Sequence, residues 1–277
     1  MTDLLLAICS SAAISLIMRL SSHKVRNNVS MLAMNYLTCL LLAAFFTGGG
    51  FFPKDSALSG ALGMGIVHGI LYLASFVTFQ RSVSRSGVVL SAIFMKLGLL
   101  VPMVISVFLF REIPGTAQIT GFILAVSAIV LINFEKTTGT SAFALDLVTL
   151  LLLGGTADAM SKVFEELGPG HLSDQFLLYT FLTAFLLCLA LVKLKKQRFT
   201  RWELMFGFAI GIPNFFSARF LLGALNSLDA VIVYPTYSVA TILLITLAGT
   251  AFFRERLKIR QWVALAIILL ALVLLNL

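Results

Sequence analysis

The sequence predicts an all-α membrane protein of ten transmembrane helices, built as two inverted five-helix repeats. Three observations carry this reading: a charge-poor composition, apolar runs of spanning length, and a polar pattern that recurs once along the chain. Of the 277 residues, 60% are hydrophobic and 12% are charged, and the mean hydropathy is +1.03. A soluble domain carries about 25% charged residues, so lipid is the solvent this composition suits.

A helix needs about 20 apolar residues to cross a hydrocarbon core of ~30 Å. Runs of that kind cover 3–20, 30–47, 57–80, 87–110, 116–134, 143–162, 173–192, 203–225, 229–252 and 259–277. The first run has no basic residues before it and no small-residue cleavage site after it, so it reads as a span and not a signal peptide. Cys9, Cys39 and Cys188 all fall inside spans. They suggest small packing residues, with no disulfide framework and no metal site.

The net charge of +8 is unevenly placed. Connections after odd-numbered spans hold Lys24 and Arg26, Arg81 and Arg85, Lys136, the run "KLKKQRFTR", and then Arg254, Arg256, Lys258 and Arg260. Connections after even-numbered spans hold Lys54 and Arg111. Positive charge near span ends favours the cytoplasm, so both termini are expected outside. The basic surface then faces anionic headgroups, and no motif points to nucleic acid.

"FREIPGTAQITGFILAVSAIVLIN" (110–133) recurs as "FRERLKIRQWVALAIILLALVLLN" (253–276), shifted by 143 residues without a gap. Phe110, Arg111, Glu112, Gln118 and Asn133 match Phe253, Arg254, Glu255, Gln261 and Asn276. The same shift pairs Tyr36 with Tyr179 and Arg19 with Lys162. Apolar matches are cheap in membrane helices, but polar matches in fixed register are not. The halves are 1–134 and 144–277. Because each holds an odd number of spans, the second enters the membrane from the other side. The charges agree: "GGGFFPKDS" has one lysine where its counterpart is the basic run, and the acidic "EELGPGHLSD" answers the basic connection after the first span. Inverted repeats of this kind are common in secondary transporters, which bind solute near the midplane between the halves.

On these features the chain resembles the drug/metabolite transporter superfamily, EamA type, over its full length. The resemblance also rests on Glu112 and Glu255 just after the fourth and ninth spans, and on Pro235 early in the ninth. Arg111 and Arg254 stand where the family usually has glycine. The charge pattern also places the termini outside, whereas the resemblance implies termini inside. The resemblance implies a central cavity lined by spans one to four and six to nine, with five and ten at the periphery.

Polar residues inside the spans are the candidate site. Lys96 lies nine residues beyond Gly87, about 14 Å deep at 1.5 Å per residue. Facing lipid there costs at least ~2.5–3.5 kcal/mol, so Lys96 is expected to face a cavity or a counter-ion. Asp158 sits among Gly154, Gly155, Ala157 and Ala159, about 22 Å from the cytoplasmic side. It can pair with Lys96 or Arg219, bind a substrate amine, or carry a proton. Arg219 lies at about the same depth, ~24 Å, and pairs with Asp158 or grips a carboxylate or phosphate bidentately. His68 and Asn214 fall near the midplane, as ligands or as satisfied buried groups, and a histidine can relay protons. Pro213 removes a backbone donor beside Asn214. Tyr36 and Tyr179 suit either packing or ligand contact, and Tyr234 and Tyr237 lie around Pro235, where a helix break can open onto a cavity. Arg19 and Lys162 read as anchors at helix ends, and the Arg111–Glu112 and Arg254–Glu255 pairs as braces of turns. Gly65 with Gly69, and Gly207 with Gly211, form GxxxG spacings suited to tight helix packing.

Lys96, Arg219 and His68 against Asp158 favour an anionic or zwitterionic small polar metabolite, moved across the cytoplasmic membrane by alternating access. The alternatives are an exporter of cationic drugs or amines using Asp158, and a lipid or lipid-linked sugar flippase. No nucleotide loop, metal-ligand cluster or nucleophile triad points to an enzyme or a cofactor. The expected partners are the solute, the bilayer and a coupling proton or ion, with the chain as a monomer. Reporter fusions after Leu277 are expected to show an outside C-terminus, and activity confined to the cytoplasm reverses the orientation.

Overall fold

The structure is a computed structural model that describes residues 1–99, 101, 115–133, 141–225, 230–253 and 258–274. Among the described residues no strand forms. In hydrocarbon every backbone N–H and C=O must be satisfied within the protein, and a helix does so locally. The helices are α1 (Thr2–Ser21), α2 (Asn28–Phe46), α3 (Leu58–Ser86), α4 (Val88–Lys96), α5 (Thr116–Asn133), α6 (Ser141–Leu167), α7 (Ser173–Leu194), α8 (Arg201–Leu225), α9 (Ala230–Phe252) and α10 (Ile259–Leu274). Among the described residues, 6 helices are long and apolar enough to cross a membrane: α1, α2, α3, α6, α7 and α8.

Several bounds differ from the apolar runs. α3 continues to Ser86 and α6 to Leu167, because polar side chains at a membrane surface do not end a helix. Gly87 ends α3 at φ +84°, a conformation that disfavours a residue with a Cβ. The fourth run is expected as one helix over 87–110; the α-helix tightens after Lys96 into a 3₁₀ turn at Leu97–Leu99, and Val101 is again α-helical. Residue 100 and residues 102–114 lie outside the described residues, and so do Arg111, Glu112, Arg254 and Glu255.

Packing runs mostly between the first 134 residues and the last 135. α1 packs on α8 and α9, α2 on α7 and α8, α3 on α6 and α7, α4 on α6 and α9, and α5 on α10. Both GxxxG pairs lie on these seams. A Cβ added to Gly65 lands 2.8 Å from the Tyr179 Cβ, and one added to Gly69 lands 2.5 Å from the Thr180 carbonyl oxygen, both on α7. A Cβ on Gly207 or Gly211 meets the Met31 or Asn35 carbonyl on α2, at 2.5 and 2.7 Å. Small residues let helix backbones approach where lipid supplies no hydrophobic drive between helices.

At the end of the bundle that carries the basic run, Glu203 is fully buried. Its Oε1 accepts the Arg26 and Asn27 N–H groups, each at 3.1 Å, and its Oε2 accepts the Thr200 N–H at 2.9 Å. Glu203 therefore supplies the carboxylate half of a capping box, on Thr200, and also satisfies orphan donors ahead of α2. At the other end Asp55 pairs with His171 at 2.7 Å. The Ala57 N–H and then His171 hold the Asp55 carboxyl below the usual carboxylate range. Gln175 donates to the Gly50 carbonyl at 3.1 Å and Tyr179 donates to the Phe51 carbonyl at 2.5 Å. The loop between α2 and α3 is thus clasped to α7 and the turn before it.

α4 and α6 cross where Gly98 meets Gly155, and a Cβ on Gly155 collides with the Gly98 carbonyl. Gly155→Val is expected to destabilise by at least ~1–3 kcal/mol through overpacking. Gly63, on α3, has nothing within 4 Å of its added Cβ, and Gly63→Ala is expected to stabilise by about 0.4–1 kcal/mol. Melting temperatures of the two purified variants check both signs.

Candidate functional site

The helix crossings leave a cavity of about 120 Å³ inside the bundle. Lys96 enters it from α4, at the point where the α-helix gives way to the 3₁₀ turn. Its Nζ lies 3.7 Å from the centroid of the Tyr237 ring on α9. A cation over an aromatic face is held by the ring quadrupole, by ~0.5–2 kcal/mol or more when dry. Tyr237 is fixed in turn by a 3.1 Å hydrogen bond between its hydroxyl and the Ser217 Oγ of α8.

Asp158 enters from α6, exposed to the cavity. Among the described residues no ion pair or hydrogen bond engages its carboxylate, and none joins it to Lys96. The alternative expected from equal depth, an Arg219–Asp158 pair, does not form. Arg219 pairs with Asp174 at the start of α7 and lies with its guanidinium carbon 4.0 Å from the Phe46 ring centroid. Depth along a helix does not fix azimuth. Arg219 projects into a separate vestibule of about 380 Å³ at the bundle end that holds Asp3 and His171.

His68 is buried on α3 and lines the cavity. Its Nδ1 lies 3.2 Å from the Thr180 Oγ1 and its Nε2 lies 3.1 Å from the Ser161 Oγ. Thr180 spends its one hydroxyl proton on the Phe176 carbonyl at 2.8 Å. Nδ1 must therefore donate to Thr180, and in the neutral ring Nε2 accepts from Ser161. The ring also stacks on Phe176 at 5.1 Å. His68 thus bridges α3, α6 and α7.

A second chain of polar groups runs from the cavity into the seam between α2 and α8. Tyr72 donates to the Asn214 Oδ1 at 2.8 Å, and the Asn214 Nδ2 donates to the Asn35 Oδ1 at 3.2 Å. α8 continues through Pro213, so Asn214 is held by side-chain partners and not by a helix break. Asn214, Tyr36 and Tyr179 do not line the cavity. Tyr36 is fully buried and donates to the Tyr72 carbonyl at 3.4 Å. The Tyr234 side chain lies outside the described residues.

Sequence reasoning missed Tyr72, Ser11, Ser15, Ser161 and Ser217 as wall residues and Asp174 as the partner of Arg219. Helical spacing carried a signal for some. Tyr72 follows His68 by four residues, Ser161 follows Asp158 by three, and Ser15 follows Ser11 by four, so each pair shares a face. Phe76, Phe79 and Phe176 add apolar surface to the cavity wall. Such a site can seat a small solute with polar groups at one end and an apolar body at the other.

An uncharacterized protein of Haemophilus influenzae is 25% identical to this chain over 275 residues, 96% of this chain and 94% of that protein. A crystal structure of another protein is similar in fold, with a TM-score of 0.60 at 17% identity, over 99% of this chain and 96% of that one. Residues 1–134 and again 143–277 match the EamA-like transporter family, and the chain belongs to that family.

Proposed function

We propose that the chain is a secondary transporter of a small zwitterionic or anionic metabolite. It works in the cytoplasmic membrane, with both termini outside, by alternating access between two inverted five-helix halves. The observation that carries this reading is the pair of opposite charges on one cavity, Lys96 and Asp158, with no direct ion pair between them. An unpaired carboxylate in an apolar bundle is costly unless a ligand or a proton meets it. Lys96 is the group for a solute carboxylate or phosphate, and Asp158 the group for an amine. The Phe76, Phe79 and Phe176 wall suits an apolar side chain. The solute crosses unchanged, so no catalysis is involved. The repeated match of the family to 1–134 and 143–277 and the packing of helices across the halves support the two-repeat architecture. Tyr36, Tyr179 and Asn214 act behind the cavity wall, holding Tyr72 and the loop over α7.

A second reading, an organic cation at Asp158, has its own support. Lys96 is already engaged by the Tyr237 face, and aromatic walls attract cations.

Thermal-shift titration separates the two. L-leucine and L-phenylalanine serve as zwitterions, succinate and glucose 6-phosphate as anions, and tetramethylammonium as the cation. A ligand at a hundredfold its Kd adds about 2.7 kcal/mol to stability. Zwitterions are expected to raise the melting temperature of the wild type, and Lys96→Met and Asp158→Asn are each expected to abolish that shift. Because no ion pair joins the two residues, Lys96→Met is expected to melt within about 4 °C of wild type. A shift by tetramethylammonium that survives Lys96→Met, with none by the zwitterions or anions, replaces the first reading with the second.

A further inference from the structure

The vestibule at the end of the bundle near residue 3 is bounded by Arg219 of α8, Asp174 of α7, Asp3 of α1 and His171 of the turn before α7. Leu177 and Leu222 line both this space and the central cavity, so the two spaces adjoin across these side chains. The Arg219 guanidinium ties three helices together, pairing with Asp174 on α7 and lying over Phe46 on α2. The pair is only partly buried, with side chains 30% and 38% exposed. An ion pair that wet contributes little net stability and exchanges partners readily. A guanidinium is always charged, and its planar fork matches a carboxylate or phosphate in two bonds. His171 is occupied by Asp55 at 2.7 Å. His171 is a cation only when protonated, so among the described lining residues Arg219 is the permanent cation on offer to a passing solute.

We infer that Arg219 forms a second anion site at the mouth of the cavity. The carboxylate or phosphate of an incoming solute displaces Asp174 from the guanidinium, and this exchange makes passage through the mouth charge-selective. Asp174 is the resident anion that keeps the site occupied between solutes. Asp3, in the same space, disfavours an anion that fails to reach the guanidinium. Lys96, on the central cavity, is then the second cation the anionic group meets. The inference rests on the proposed route through the central cavity, not on which solute travels it.

The test uses thiol chemistry and needs no known substrate. Ser11 lines the central cavity from α1, and Ser11→Cys is made in a Cys9→Ser background, because Cys9 is exposed while Cys39 and Cys188 are buried. The full-length protein in neutral detergent is treated with sulfonatoethyl methanethiosulfonate, an anion, or with trimethylammonioethyl methanethiosulfonate, a cation. The readout is the ratio of the two modification rates at position 11. Asp174→Asn frees Arg219 and is expected to raise the anion-to-cation ratio about tenfold, while Arg219→Gln is expected to lower it about tenfold, within the range of charge steering in a cleft. Exchanging the two residues, Asp174→Arg with Arg219→Asp, is expected to bring the ratio back within about twofold of the parent. If Arg219→Gln fails to fold, Asp174→Asn alone decides. An unchanged ratio in a folded variant overturns the mouth site and leaves the central cavity standing. No modification of Ser11→Cys by either reagent overturns both the mouth site and the route beneath it.

Discussion

The cost of leaving an ammonium group and a carboxylate in hydrocarbon constrains the whole bundle, which encloses both on one cavity. Lys96 rests on the Tyr237 ring, and Asp158 faces the cavity with no direct ion pair or hydrogen bond among the described residues. In hydrocarbon neither could be left on the outer surface of its helix without a cost of several kcal/mol. The fold must therefore enclose a polar space, and it must do so with walls rigid enough not to collapse and pair the charges. Tyr237 is pinned by Ser217, and the opposite wall by the His68 bridge to Ser161 and Thr180.

Those walls depend on how closely the helices approach elsewhere. Gly65 and Gly69 against α7, Gly207 and Gly211 against α2, and Gly98 against Gly155 bring backbones nearly into contact. Where backbones touch, no space remains. Where bulky Tyr72, Phe76 and Phe176 intervene, the helices part and the cavity opens. Side chains also bond across the seams, as in the Tyr72–Asn214–Asn35 chain, in which the Asn214 amide is met at both ends while the Asn35 Nδ2 has no partner among the described residues. Such bonds fix the rotation of each helix as well as its position.

Both ends of the bundle are tied by a mixture of contacts. At the basic end one buried carboxylate, Glu203, gathers the backbone donors of two connections, and Arg85 pairs with Asp146 at 2.5 Å. At the other end Asp55 pairs with His171 and Arg219 with Asp174, beside the Gln175 and Tyr179 bonds to the loop between α2 and α3. Buried, multiply bonded groups resist opening, and wet ion pairs yield.

Composition and hydropathy alone determined that this chain is helical and lives in a membrane, since no other backbone arrangement of such apolar runs satisfies its own polar groups. The sequence also singled out Lys96, Asp158 and His68, because a charge or ring nitrogen at mid-span is costly without a purpose, and Tyr237, because it lies near Pro235; all four line one cavity. Depth was legible because it grows by a fixed rise per residue. What depth could not supply was azimuth and partner. Arg219 and Asp158 are expected at one level from the rise per residue, yet Arg219 reaches Asp174 and the vestibule at the bundle end. Tyr36, Tyr179 and Asn214 turn away from the cavity. Tyr72 and Ser161 were readable from their helical spacing to His68 and Asp158, but only the packing of α3 against α6 and α7 decided that those faces meet. Which side chains converge is set by helix rotation and crossing, and these are fixed by contacts between residues far apart in the chain.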